Sequence, residues 1–219
     1  MNEILVRRSK DGNVILLARA IPALRNKYRR RGVHSRRSAC HAARTLIPDA
    51  RTAGGAPLYG RSDAPTTIVV FSDLECPYCK RHDARLRELV EKRSDIRIVW
   101  RSKPLPMHAH ARLAAKAAIA ADQQGKLDVL VKAMFDHQDA LDRASLESYA
   151  GGAGLDRGRF VLDLDSAETE ARLSADEALA AKLGVKGTPT SFVEGRRIVG
   201  AQPISTFEGA ALRAAEARR

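Results

Sequence analysis

The chain has little cysteine and lacks a long hydrophobic run. Three of its 219 residues are cysteine, which is too few for a small fold that depends mainly on disulfides. No segment approaches the ~18 consecutive apolar residues of a membrane-spanning helix. Hydrophobic residues make up 44% and charged residues 29% of the sequence, a balance that argues against a collagen-like or wholly disordered chain. We therefore expect one substantial globular unit with an appendage.

Motifs of several common enzyme classes are absent as well. The sequence has no Gly-x-Ser-x-Gly element and no phosphate-loop lysine, which argues against the common hydrolase and nucleotide-binding chemistries. The glycines between residues 151 and 158 do not match the Gly-x-Gly-x-x-Gly fingerprint and follow no predicted strand. Apolar residues over 127–135 recur at helical spacing, so we expect them to form core rather than a cofactor site.

The net charge of +12 is concentrated near the N-terminus. Residues 1–55 contain 13 Lys or Arg residues against three acidic residues, whereas the rest of the chain is near neutral. An Arg-rich segment with few aromatic residues buries little surface, so residues 1–57 are predicted to be a basic, poorly ordered extension and linker. Residues 58–219 are predicted to form the folded domain, with a helical insertion at about residues 104–183.

The basic extension is open to several interpretations. An export signal over residues 14–23 would be interrupted by Arg19 and followed by further arginines, which resist translocation. The alternatives are a disordered basic arm, a short amphipathic helix over residues 15–28, or a start site assigned too far upstream. Cys40 is expected to be an exposed thiol, with a regulatory or metal-binding role as its alternative. A nucleic-acid-binding arm is less favoured because Tyr28 is its one aromatic residue and no recognition module is present.

Apolar patterning predicts that the folded domain is α/β. Residues 66–71 form a nearly unbroken apolar run rich in β-branched residues, the pattern of a central strand covered on both faces. A helix is predicted to begin at Pro77 and end near Lys92, and residues 96–101 form a second strand, so the crossover favours parallel pairing. Helices are then predicted over residues 109–124, 127–135, 145–153, 157–163 and 168–183.

The last third of the chain predicts a return to the sheet. Gly184 is typical of a helix stop. Residues 190–193 and 197–199 have strand character, and the intervening Glu194-Gly195-Arg196 predicts a tight antiparallel hairpin. A terminal helix over residues 204–217 completes the domain.

Two cysteines lie three positions apart where the first predicted strand passes into the helix. In the first helical turn Cys76 and Cys79 lie on the same side, close enough to form a disulfide. Cys79 is in register with Leu86 on the apolar stripe, so it should face inward, whereas Cys76 should stand at the exposed tip. The positive end of the helix dipole lowers the pKa of a thiol at the tip, and a thiolate is the nucleophile of disulfide exchange. The pattern therefore predicts that Cys76 attacks and Cys79 resolves.

The order of these elements and motifs resembles the thioredoxin superfamily, and more narrowly its DsbA-like branch. The resemblance covers about residues 58–217. The segments that carry it are FSDLECPYC at residues 71–79, PLPMH at residues 104–108, GTPT at residues 187–190 and GRRIVGA at residues 195–201.

The resemblance implies a thioredoxin-like fold and a thiol-disulfide oxidoreductase with a Cys76-Pro77-Tyr78-Cys79 active site. It implies a cis bond between Thr188 and Pro189 beside the cysteines, where adjacent backbone can pair with an extended substrate. Pro77 and Tyr78 would then help to shape the active site. The cysteine disulfide would be the redox group without a further cofactor or metal. The implied partners are thiol- or disulfide-containing proteins and a separate redox partner, with no nucleic acid bound by the main domain.

Two positions depart from the pattern of the family. The buried acid that members commonly carry six residues before the first cysteine is Val70 here, so deprotonation of Cys79 is expected to be slower or to depend on water. Strong oxidants of this branch often have histidine within the motif, whereas Tyr78 is neutral near pH 7. We therefore expect a reduction potential between the thioredoxin and DsbA values of about −270 and −120 mV.

Other functions stay open from the sequence alone. A disulfide reductase or isomerase on the same scaffold would differ in its potential and its redox partner. Cys76, Cys79 and His82 also match Cys-x-x-Cys-x-x-His, so a non-catalytic zinc or binding module is an alternative, with Cys40 or His41 as a fourth ligand.

The histidines of the folded domain also have a plainer interpretation than metal binding. His82, His108 and His110 are expected to be solvated helix residues, and the last two cannot share a helix face at a spacing of two.

The resemblance implies the bacterial periplasm or cell envelope, where disulfides persist, whereas a retained basic leader would favour the cytoplasm.

Overall fold

The computed structural model describes residues 4–8, 14–18, 58–216 and 218, and the chain divides into the units Met1–Pro48 and Asp49–Arg219. In the first unit, strand β1 (Ile4–Arg8) pairs antiparallel with strand β2 (Val14–Ala18). The helix offered over residues 15–28 is therefore wrong where it can be checked, because a segment rich in Val, Ile and Leu favours a strand. The remainder of that segment and Cys40 lie outside the described residues. The predicted boundary after residue 57 stays a prediction.

The second unit is built on a four-stranded sheet with strand order β4-β3-β5-β6. Its strands are β3 (Thr66–Ser72), β4 (Ile96–Ser102), β5 (Thr190–Val193) and β6 (Arg196–Val199). Strand β3 pairs in parallel with β4 and antiparallel with β5, and β5 pairs antiparallel with β6. The strands predicted from the sequence are confirmed to within a residue at each end.

Strand β3 has neighbours on both sides and is covered on both faces. Ile68, Val69, Val70 and Phe71 are all buried, so alternate side chains enter the core on opposite faces. Helix α1 (Pro77–Lys92) follows β3 and buries Leu86 and Leu89. This arrangement is the buried parallel unit that the unbroken apolar run predicts.

Five helices stand between β4 and β5, as predicted. They are α2 (Ala111–Gln123), α3 (Leu127–Asp136), α4 (Arg143–Gly152), α5 (Arg157–Leu164) and α6 (Ala167–Lys182). The buried face of α2 is almost wholly alanine, which lets its neighbours approach closely. Asp142, Asp156 and Ser166 accept hydrogen bonds from backbone amides three residues on and so begin α4, α5 and α6.

The end of the domain follows the predicted turn chemistry. Gly184, just beyond α6, has φ 64°, and the hairpin residues Glu194 and Gly195 have φ 45° and 85°. Two successive left-handed residues match the twist of the two-residue β-hairpin between β5 and β6. Helix α7 (Ile204–Glu216) then buries Phe207, Ala210 and Ala211. Within the described residues no helix combines the length and apolar character needed to cross a membrane.

Candidate active site

Cys76 and Cys79 lie at the junction of β3 and α1. Cys76 is the N-cap residue of α1, with extended φ and ψ of −76° and 120°. Its amide donates to Asp73 O at 3.2 Å, and its carbonyl accepts from Cys79 N at 3.0 Å and Lys80 N at 3.2 Å. Pro77 occupies the first helical position, where its missing N–H removes no helical hydrogen bond. The first turn of α1 therefore holds both cysteines.

The two thiols differ in their surroundings, although both are buried. Cys79 is 1% exposed, which confirms that it faces inward. Cys76 is only 4% exposed, so the prediction that it stands at an exposed tip is wrong. Its sulfur lies 3.7 Å from Thr188 O, which shows that the loop before β5 covers it. A contact between residues so distant in sequence is not visible in local periodicity.

The hydrogen bonds around the cysteines separate their ionisation. A hydrogen bond from the Cys79 thiol lowers the pKa of Cys76 against the opposing effect of burial, and the amides of Cys79 and Tyr78 contribute. Burial raises the pKa of Cys79, as does its hydrogen bond to Cys76. The Thr188 side chain lowers both pKa values. Among the described residues the buried Thr188 hydroxyl has no hydrogen-bond partner of normal geometry.

This separation predicts an acidic midpoint for the reactivity of Cys76. In the reduced protein, with Cys40 replaced by serine, alkylation by iodoacetamide should depend on pH with a midpoint well below the ~8.5 of a free cysteine. The reason is that only the thiolate reacts and the pKa of Cys76 is lowered. Peptide mapping should find the label on Cys76 and not on Cys79 at neutral pH. A midpoint at or above 8.5, or equal labelling of the two cysteines, contradicts the assignment.

The loop before β5 forms one wall of the site. The bond between Thr188 and Pro189 is cis, as the resemblance implies. Pro189 O accepts from Gly200 N at 2.8 Å, and the Thr190 hydroxyl donates to Gly187 O at 2.7 Å. The structure therefore brings Thr188 next to Cys76, and Tyr78 projects outward with 57% of its surface exposed.

The segment between β4 and α2 also contacts the cysteine loop, through the two acidic residues that precede Cys76. Leu105 N donates to Asp73 Oδ2 at 2.7 Å, and His108 Nδ1 lies 2.8 Å from the same oxygen. His110 N donates to Glu75 Oε2 at 2.7 Å. His108 lies in this loop and not in a helix, so its interpretation as a solvated helix residue is wrong. Asp73 comes directly after a buried strand, which indicates that its carboxylate needs hydrogen-bond donors. This signal could have led to His108.

His82 is also buried and not solvated. It is 1% exposed, its Nε2 lies 2.9 Å from Ser191 Oγ, and its ring centre is 5.2 Å from that of Phe207. Burial lowers the pKa of His82 to about 4, and Arg85 lowers it further. The spacing of three residues from Cys79 already placed His82 near the apolar stripe.

A buried carboxylate also lies on α1, one turn after Cys79. Asp83 accepts from Tyr59 Oη at 2.9 Å and from the Arg87 guanidinium at 2.6 Å. Burial raises the pKa of Asp83, and Arg87 opposes this effect. The family pattern places its buried acid at the position of Val70 on β3, so Asp83 on α1 was not predicted. In the part of the chain that the structure describes, no group of three His, Cys, Asp or Glu side chains is arranged to hold a metal.

Gln138, in the helical insertion, reaches the cysteine loop directly. Its Nε2 donates to Leu74 O at 2.6 Å and to Cys76 O at 3.1 Å. The insertion is thus hydrogen-bonded to the backbone of the predicted nucleophile. Gln138 lies in the turn between α3 and α4, where no motif marked it.

Replacing Gln138 with alanine should loosen the N-terminus of α1. Loss of its amide removes one hydrogen bond from each of two carbonyls, which we expect to lower the free energy of unfolding by about 1–3 kcal/mol. The rate of Cys76 alkylation should also change, because the carbonyl that begins α1 loses a donor. The matched control is Gln124→Ala, since Gln124 makes two hydrogen bonds to the Asp156 backbone within the insertion. Equal effects of both variants on Cys76 reactivity contradict a specific role for Gln138.

Comparison with known proteins identifies what this domain is similar to. The family described as the DSBA-like thioredoxin domain matches residues 67–211. The chain is 38% identical over 156 residues to Na(+)/H(+) antiporter NhaA 3 of Salinispora tropica, a match that covers 71% of this chain and 24% of the relative. The NhaA antiporter of Herminiimonas arsenicoxydans is 40% identical over 148 residues, with 67% and 24% covered. The chain thus spans about a quarter of the length of these relatives, and ion antiport is named for those longer proteins.

Solved structures show the same similarity. A thioredoxin-like oxidoreductase from Silicibacter pomeroyi has 32% identity and a TM-score of 0.68, covering 72% of this chain and 91% of that one. The thiol-disulfide exchange protein alpha-DsbA2 from Wolbachia pipientis has 19% identity and a TM-score of 0.69, covering 82% and 100%. At that lower identity the likeness concerns the fold.

Proposed function

The chain belongs to the DSBA-like thioredoxin domain family, and from that membership we propose that it exchanges disulfides with protein substrates through Cys76 and Cys79. The observation that carries the proposal is the placement of two thiols in the first turn of one helix, in surroundings that lower the pKa of Cys76 and raise that of Cys79. One thiol is ionised at neutral pH and can attack, while the other keeps its proton until it is needed.

The proposed reaction has two exchange steps. The Cys76 thiolate attacks one sulfur of a substrate disulfide, so that a mixed disulfide forms and the other substrate sulfur leaves as a thiolate. Cys79 then loses its proton and attacks the Cys76 sulfur, which releases the second substrate sulfur. The substrate gains two electrons and the protein is left with a Cys76–Cys79 disulfide. Run in reverse, the same steps oxidise a dithiol substrate.

The walls of the site suggest how a substrate binds. Because Cys76 is only 4% exposed and Thr188 O lies 3.7 Å from its sulfur, a substrate sulfur would approach beside the loop at Thr188. Tyr78, which lies between the two cysteines, and Met107, which precedes His108, are 57% and 75% exposed and offer apolar surface to a substrate. We propose that an extended substrate segment lies along the backbone beside Pro189 as an added strand. Pro77 fixes the start of α1 beneath it.

The cysteine pair itself is the proposed redox group, and a separate protein is proposed to restore its working state. A potential near −270 mV would favour a reductase supplied with electrons, whereas one nearer −120 mV would favour an oxidant. The fold is common to both directions, so the potential is the quantity that separates them.

A redox titration tests this function directly. The Cys40→Ser variant, which leaves only Cys76 and Cys79, should be equilibrated with mixtures of reduced and oxidised glutathione and then trapped by acid and alkylated. We expect one two-electron transition between about −270 and −120 mV. Failure to form an intramolecular disulfide contradicts the proposed function. A potential as high as −120 mV contradicts the expected intermediate redox strength.

A further inference from the structure

A buried carboxylate lies beside the cysteine loop and binds a histidine. The Asp73 side chain is fully buried, and the His108 side chain keeps 23% of its surface exposed, with Nδ1 2.8 Å from Asp73 Oδ2. Asp73 also accepts from Leu105 N at 2.7 Å and from Glu75 N at 2.8 Å. The imidazole is therefore held in one orientation by a group that cannot move into solvent.

The histidine contacts the segment that leads into the predicted nucleophile. Asp73 precedes Cys76 by three residues, and Asp73 O accepts from Cys76 N at 3.2 Å. Burial lowers the pKa of His108, but the hydrogen bond to Asp73 and the charges of Asp73, Glu75 and Cys76 outweigh it, so the pKa of His108 is raised. Asp73, Glu75 and Cys76 are the charged groups that raise the pKa of the ring most. Interaction between two titrating sites is reciprocal, so a cation that the thiolate stabilises also stabilises the thiolate.

The pair also removes an unfavourable charge. Without a cation, the Asp73 carboxylate would be a buried negative charge in the loop that leads to Cys76, and like charges oppose ionisation. A protonated His108 neutralises it. Tyr78, between the two cysteines, cannot supply positive charge near neutral pH.

We infer that His108, oriented by Asp73, supplies the positive charge that stabilises the Cys76 thiolate, from the segment before α2 and not from within the cysteine motif. This inference rests on the proposed function for its biological meaning. His108 forms no bond in the reaction, and Asp73 is a positioning residue that acts through it. As pH rises through the pKa of His108 the cation is lost, and with it this contribution to the thiolate.

The test compares His108→Gln with His110→Gln, both in the Cys40→Ser protein. His110 is exposed, and its backbone amide is what contacts Glu75, so it is a matched loop histidine. We expect His108→Gln to raise the apparent pKa of Cys76 by about 0.5–1 unit, measured by thiolate absorbance and by alkylation rate against pH. The equilibrium with glutathione should move up to about tenfold toward the disulfide form of the protein, which corresponds to about 30 mV. His110→Gln should leave both unchanged.

A third variant separates charge from shape. His108→Lys keeps a positive charge and should restore at least half of the shift. The inference is overturned if His108→Gln titrates like the parent protein, or if lysine restores nothing, since the effect would then come from loop geometry. Circular dichroism and the unfolding midpoint show whether each variant is folded. If the parent protein forms no Cys76–Cys79 disulfide at all, the proposed function fails, while the titration of Cys76 still decides the role of His108.

Discussion

Replacing Cys76 with serine is expected to reduce insulin-disulfide reduction by dithiothreitol to the rate measured without the protein. A serine hydroxyl does not ionise near neutral pH, so no nucleophile is left for the first exchange step. Cys79 cannot substitute for it, because it is 1% exposed and burial raises its pKa. The loss should therefore be complete and should appear in turnover, whatever the substrate concentration.

The same substitution should leave the fold intact. Cys76 is the N-cap of α1 and makes no side-chain capping hydrogen bond, whereas serine is among the preferred N-cap residues. The cap should add up to about 1 kcal/mol to the free energy of unfolding. At neutral pH the loss of the folded-state thiolate opposes this gain, because the lowered pKa of Cys76 stabilises the reduced folded protein. Urea unfolding of both proteins under dithiothreitol checks this control. Full activity in a folded Cys76→Ser protein would show that the nucleophile has been assigned wrongly.

The sheet and the cysteine pair could be predicted because their signals are local. An unbroken apolar run over residues 66–71 specifies a strand covered on both faces, and Pro77 marks the start of a helix. The cysteine spacing then places both thiols in one turn. The capping residues Asp142 and Ser166, which begin two insertion helices, also act within three residues of themselves.

The walls of the site could not be predicted in the same way. His108 is 35 positions from Asp73, Gln138 is 62 from Cys76, and His82 is 109 from Ser191. Each pair forms only when separate elements pack against each other, so the local periodicity of the sequence cannot predict it. The same reason explains why Cys76 was expected at an exposed tip. The first turn of α1, considered alone, leaves Cys76 exposed, but Thr188 from another part of the chain covers its sulfur.

These distant contacts change how the chemistry of the site is understood. The helix dipole was the expected cause of a reactive Cys76. In the structure the Cys79 thiol, the Thr188 hydroxyl and two backbone amides all lower its pKa. A hydroxyl and an amide from different segments thus act on one sulfur atom. The reactivity of Cys76 therefore depends on the folded domain and not on the helix alone.

Replacing Cys79 with serine should convert the protein into a trap for mixed disulfides. Cys76 keeps its lowered pKa in part, through Thr188 and the amides, but loses the thiol that contributes most to it, so the first attack should be slower yet still occur. With no second sulfur to release the substrate, covalent complexes should approach one substrate per protein and should be cleaved by added dithiothreitol. Serine suits the site because Asp73 N donates to the Cys79 sulfur at 3.5 Å and an oxygen can also accept.

Non-reducing electrophoresis with mass spectrometry measures the complexes, and the Cys76→Ser/Cys79→Ser protein is the matched control. All these proteins carry Cys40→Ser. If the Cys79→Ser protein releases its substrate from the mixed disulfide as fast as the parent protein does, release does not depend on Cys79.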